Sequence, residues 1–209
     1  MSSSTAVRVV HLAQPNAQPQ THSASRHWLK RGAIALIGLG ILTSAAMAAP
    51  ATKPQTVNQV DLKRYVGNWY EIARFPMYFQ RKCASDVMAT YGQLPNGQVS
   101  VRNQCRKASG ELMASTGAAT PVDSSNSKLK VSFLPQGLRW IPFTKGDYWI
   151  LKLDDNYQTA LVGAPNRKYL WILSRTPNLD ENTYQQYVEA AKQQGFDTSK
   201  LVRTVHKQP

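Results

Sequence analysis

The sequence predicts an all-β protein, an eight-stranded up-and-down antiparallel β-barrel with one C-terminal α-helix packed outside. Three observations predict it. Eight short β-type runs follow one another between residues 68 and 175, each ended by a turn signal. Only one later segment has clear helical spacing. Consecutive strands with short links close readily on themselves, and closure removes the exposed edges of an open sheet. A two-sheet sandwich is the alternative.

The first run, 68–75, is mixed and apolar. Run 87–94 ends at Pro95-Asn96-Gly97 and run 98–106 begins at once, so these two form a hairpin on an Asn-Gly turn. Run 110–122, rich in Ala, Thr and Ser, ends at residues 123–127, and run 128–134 follows. Run 147–153 ends at Asp154-Asp155-Asn156, run 157–164 at residues 165–168, and run 169–175 at Thr176-Pro177. Asp180 suits a helix N-cap, Tyr184, Tyr187, Val188 and Ala191 fall at helical spacing, and Gly195 sits where the helix should stop. Residues 201–205 offer a short ninth strand.

The chain before the barrel differs in kind. Residues 1–32 carry Arg8, Arg26, Lys30 and Arg31 and no acid; ten uncharged residues, 33–42, follow, and then Ala46-Met47-Ala48. That order, basic then apolar then small, predicts a signal peptide over residues 1–48. Ten helical residues at ~1.5 Å each cover about half of a ~30 Å hydrocarbon core. The longer uncharged stretch 32–49 leaves an uncleaved anchor as the alternative. Residues 49–59 read as a polar linker and 60–209 as the barrel domain. No cysteine precedes Cys83, so none follows the apolar run to carry a lipid anchor. The expected location is periplasmic or outer-envelope associated.

Composition narrows the function. Lys and Arg total 25 against 12 Asp and Glu, a net charge of +13. Export and the scattered placement of the cations argue against nucleic acid as the partner. The charge then serves solubility or attraction to an anionic membrane surface. After the signal segment the only histidine is His206, so no Ser–His–Asp set, Cys–His pair or histidine zinc site can be assembled. No phosphate-cradling glycine loop is present. The expectation is a binding protein, not an enzyme, with no cofactor and no metal.

Strand parity gives the barrel two ends. The tight links 95–97, 123–127 and 154–156 all fall at one end, and the long links 76–86 and 135–146 fall at the other. One end is closed and the other is a mouth. An eight-stranded barrel is wide enough to hold one small ligand.

Residues 64–74 read Arg64-Tyr65-Val66-Gly67-Asn68-Trp69-Tyr70-Glu71-Ile72-Ala73-Arg74. This resembles the G-x-W-Y-E motif that opens the lipocalin barrel. Residues 169–177, with Arg175 at the strand end, resemble the family's third motif. The second motif keeps only its central acid, Asp155. The resemblance covers residues 60–205 and is nearest the bacterial and apolipoprotein D-like branch. It implies structural roles for Gly67, Trp69, Asp155 and Arg175. Parity independently places Trp69 and Arg175 at the closed end, where an Arg over an indole contributes about 0.5–2 kcal/mol. The resemblance also implies binding, storage or transport of lipids such as fatty acids and lysophospholipids, or of other small hydrophobic ligands, in envelope maintenance under stress. The alternative is a docking module with a filled barrel.

Alternation supplies the candidate ligand residues. With Trp69 inward, Glu71, Ala73 and Phe75 follow it, and Tyr169 and Trp171 share the parity of Arg175. Tyr91, Phe133 and Tyr148 are further large residues placed to line the cavity. An inward carboxylate such as Glu71 must be hydrogen-bonded, protonated or functional. At the mouth, Tyr78 and Phe79 precede Arg81 and Lys82, and Trp140 and Phe143 stand beside Arg139. Apolar residues beside cations suit a lipid tail inside and a phosphate outside, or a membrane contact; a lid folded over the barrel is the alternative. Cys83 and Cys105 lie at the same end and suggest a disulfide in an exported protein, with two free thiols as the alternative.

Overall fold

The computed structural model describes residues 52–141 and 143–207, so the expected signal segment lies outside the described residues. A short helix α1 (Leu62–Tyr65) leads into β1 (Gly67–Arg74). The remaining strands are β2 (Ser85–Gln93), β3 (Val99–Arg106), β4 (Leu112–Pro121), β5 (Lys128–Ser132), β6 (Gly146–Leu153), β7 (Thr159–Gly163) and β8 (Leu170–Ser174). Helix α2 (Glu181–Gln193) and β9 (Val202–Arg203) complete the described chain.

From β1 to β8 each strand pairs antiparallel with the next, and β1 also pairs with β8, which closes the barrel. The expected up-and-down order is the one observed. Closure is uneven along β1. Its first half runs with β2 from Gly67↔Tyr91 to Tyr70↔Met88. Its second half leaves β2 and takes β9 instead, at Ala73↔Arg203 and Arg74↔Val202. The following residues fasten this seam. Thr204 N donates to Ile72 O at 2.9 Å, Asp86 N donates to Val205 O at 2.9 Å, and Lys207 N donates to Asp86 Oδ1 at 2.7 Å.

Two apolar layers sit on the faces of the wall. The inner one gathers Tyr65, Trp69, Tyr91, Val101, Leu129, Ile150, Val162 and Leu173. The outer one packs Leu151, Leu161, Leu170 and Ile172 against Tyr184, Tyr187 and Ala191 of α2 and against Phe196. Helix α2 begins where Asp180 Oδ1 accepts from Thr183 N at 2.9 Å. It ends in a Schellman turn: Gly195 (φ +81°) donates to Lys192 O and Phe196 to Ala191 O.

Strand alternation holds in β1 only as far as Glu71. Glu71 faces Leu173, but Ala73 faces Ile172, so Ile72 is an extra residue, a β-bulge. Past the bulge the parity reverses. Ala73 and Phe75, expected inward, lie in the outer layer, and the Phe75 ring meets Phe196 at 6.3 Å.

Candidate functional site

The barrel encloses a cavity of about 600 Å³ lined mainly by apolar side chains. Its bottom is Trp69, which is completely buried and donates its indole N–H to Tyr65 O at 2.7 Å. On the other face of that indole lies the Arg175 guanidinium, 4.0 Å from the ring centroid. Arg175 also donates to Asn68 O (2.8 Å), Arg64 O (2.7 Å), Tyr65 O (3.2 Å) and Tyr157 O (3.1 Å). Gly67 adopts φ +100°, and a Cβ there would stand 3.2 Å from an Arg175 nitrogen, so the motif glycine answers both a backbone and a packing need.

Next to Trp69 three phenols meet. Tyr65 Oη and Tyr148 Oη are 2.8 Å apart, and Tyr91 Oη and Tyr148 Oη are 3.0 Å apart. Burial pushes all three hydroxyls up, Tyr91 to about 12, so they stay neutral.

Among the described residues Glu71 is the one buried carboxylate. Thr204 Oγ1 donates to it at 2.6 Å and Gln80 Nε2 at 2.8 Å, and Arg74 Nε lies at 3.2 Å. Gln80 also accepts from Trp171 Nε1 at 3.2 Å. Burial raises the Glu71 carboxyl above its ordinary range, and the Thr204 and Gln80 bonds and the Arg74 charge oppose that rise.

Of the expected ligand residues, Glu71, Tyr91, Phe133, Tyr148, Tyr169 and Trp171 all line the cavity. Phe75 does not: the bulge at Ile72 turns it to the outer layer, which corrects the expectation from alternation. At the mouth, Phe79 lines the cavity while 60 % exposed, and its ring meets Tyr169 at 5.8 Å. Tyr78 (76 % exposed), Trp140 (75 %) and the fully exposed Phe143 project outward instead of forming a lid. Arg81 lies 4.0 Å over the Tyr78 ring, Lys82 is exposed, and Arg139 is tied back to Leu134 O at 2.9 Å. Cys83 and Cys105 form the disulfide, which fastens the 75–84 loop to the end of β3.

Sequence reasoning missed four residues. Gln80 bridges Glu71 and Trp171, and Tyr65 supplies a third phenol to the cavity. At the turn before β7 the working carboxylate is Asp154, not Asp155. Asp154 accepts from the backbone N–H groups of Asn156, Gln158 and Thr159, whereas Asp155 contributes its carbonyl to Arg64. Tyr157, beside it, accepts from Asp61 N through its hydroxyl and lies 4.0 Å under the Arg64 guanidinium. The visible signals were Asp154-Asp155 as adjacent acids at a turn and Tyr65 two residues before the motif glycine.

A closed antiparallel barrel with one sealed end and one apolar cavity defines a small-ligand-binding β-barrel protein. A lipocalin-like domain family matches residues 60–206, and the chain belongs to the lipocalin family. It is 46% identical over 153 residues to temperature-induced lipocalin-1 of Arabidopsis thaliana, covering 72% of this chain and 81% of that protein. It is 38% identical over 164 residues to the outer membrane lipoprotein Blc of Citrobacter freundii, covering 78% and 88%. Bovine (Bos taurus) apolipoprotein D is 28% identical over 158 residues, covering 72% and 79%. Among solved structures, insecticyanin from the tobacco hornworm Manduca sexta shares the fold at TM-score 0.58 and 24% identity, covering 75% of this chain and 85% of that one.

Proposed function

We propose that this protein binds and carries lipids, fatty acids and lysophospholipids in particular, with the tail in the barrel and the polar head at the cationic mouth. The observation that carries the reading is the open apolar cavity, whose volume lies within the ~300–1,000 Å³ typical of small-ligand pockets. A barrel filled by its own side chains would leave no such space. Binding is non-covalent and driven by apolar burial at about 25 cal/mol per Å². The lipocalin family is made up mainly of binding and transport proteins, which supports a carrier and not an enzyme. The names of the outer membrane lipoprotein and the temperature-induced lipocalin support service in the envelope under stress. On this reading residues 1–48 direct export and residues 49–59 link to the barrel domain, 60–209.

The outward Tyr78, Trp140 and Phe143, together with Arg81 over the Tyr78 ring and the exposed Lys82, favour a second role for the same mouth, transient docking on an anionic membrane surface from which the ligand is taken. The carrier reading is tested by native mass spectrometry of the protein purified from the envelope of its own cells, followed by lipid extraction. About one fatty acid or lysophospholipid per barrel is expected. An empty barrel whose Trp fluorescence also ignores added fatty acids and lysophospholipids would overturn the reading.

A further inference from the structure

The lipid-binding reading leaves one polar feature of the cavity unused. Tyr65, Tyr91 and Tyr148 converge from α1, β2 and β6, and all three line the cavity. They form a chain of three hydroxyls with two contacts, Tyr65 to Tyr148 at 2.8 Å and Tyr148 to Tyr91 at 3.0 Å. Among the described residues these hydroxyls have no other hydrogen-bond partner. Each phenol carries one proton, and the oxygen accepts. Three protons and two bonds leave one proton over in every arrangement. If Tyr65 donates to Tyr148 and Tyr148 to Tyr91, the Tyr91 proton is left. The reverse order leaves the Tyr65 proton. If both ends donate to Tyr148, the Tyr148 proton is left. Rotating the hydroxyls moves the spare donor among the three positions, so the cluster adapts to where an acceptor sits.

We infer that this tyrosine cluster is a subsite for a neutral oxygen acceptor, a carbonyl carried on the buried chain of the ligand. The inference rests on the carrier reading and adds to it the chemistry of the ligand's inner end. A neutral acceptor is required for two reasons. Among the described residues no Lys or Arg lines the cavity, so a carboxylate placed there would be a buried charge without a partner. Arg175, at the closed end, does not line the cavity and is spent on Trp69 and four backbone carbonyls. An anionic head therefore stays at the mouth, and the inner site takes a keto or aldehyde oxygen. The ligand class is an oxo-substituted fatty acyl chain.

The test compares palmitate with oxo-palmitates whose carbonyl is moved along the chain, read by quenching of cavity tryptophan fluorescence. The proteins are wild type and the triple variant Tyr65→Phe, Tyr91→Phe, Tyr148→Phe. All three changes are needed, because a shorter phenol chain still has a spare proton. Replacing every partner by an isosteric apolar ring is nearly neutral for stability. In wild type, one carbonyl position should bind at least as tightly as palmitate. In the triple variant that oxo-acid should weaken relative to palmitate by about tenfold or more, the penalty for an unmet buried acceptor. Palmitate binding with a ratio that stays within about twofold between the two proteins would overturn the inference alone. Failure of every ligand to bind wild type would overturn the inference and the carrier reading together. A second measurement needs no variant. The infrared stretch of a carbon-13-labelled ketone bound to wild type should lie below its value in alkane, and an alkane-like frequency would overturn the inference.

Discussion

Arg175 illustrates how one side chain holds a barrel end. Its guanidinium lies over Trp69 and donates to carbonyls of Arg64, Tyr65, Asn68 and Tyr157, which joins α1, β1 and the turn before β7. Arg175→Lys keeps the charge and loses the planar fork. We expect a loss of about 2 kcal/mol, seen as a fall in Tm of about 4–8 °C. Glu71 predicts a pH dependence of definite sign. Burial lifts its carboxyl above the ordinary 4.5, so the folded state keeps a proton that the unfolded state releases. Stability from that proton is complete below the ordinary value and is lost as pH rises through the raised one. Wild type should therefore lose stability relative to Glu71→Gln as pH rises above about 4.5, measured as the gap between their melting curves. The residues legible in the sequence were those whose side chain announces a conflict, such as Glu71 in an apolar strand. Gln80 was not legible, because its partners Glu71 and Trp171 lie 9 and 91 residues away and no periodic signal links them.

At the scale of the element, the strands were legible because turn signals punctuate them and alternation marks their faces. The departures are local. One extra residue at Ile72 reversed the parity of β1 and sent Phe75 outward, and alternation has no means of marking a bulge. Helix α1 has four residues, too few to show a period. The Cys83–Cys105 bond staples the 75–84 loop to β3 across a sequence separation of 22. By loop-closure entropy it contributes about 3 kcal/mol. Replacing both cysteines by serine should lower Tm by about 6–12 °C. Hydrogen exchange should quicken most in the 75–84 loop, where Cys83 N donates to Gln80 O.

For the whole molecule, the two ends of the barrel predict different behaviour toward membranes. The mouth presents Tyr78, Trp140 and Phe143 with Arg81 and Lys82, and the closed end buries Trp69 under Arg175. Co-sedimentation with phosphatidylglycerol vesicles is expected, and with phosphatidylcholine vesicles much less. Each basic residue near the surface contributes about 1 kcal/mol, and the attraction should fade between about 0.1 M and 1 M salt. Trp140→Ser with Phe143→Ser should weaken the low-salt binding. The seam along β1 bears on how the chain folds as it is made. β1 takes its partners β8 and β9 from the far end of the barrel's sequence, so one edge of it stays bare while the intervening strands are synthesised. At 5–20 residues per second that interval is on the order of ten seconds. A bare strand edge is a template for wrong pairing, so the unfinished barrel is most exposed to chaperones and to neighbouring chains until residues 202–207 arrive to fasten the wall.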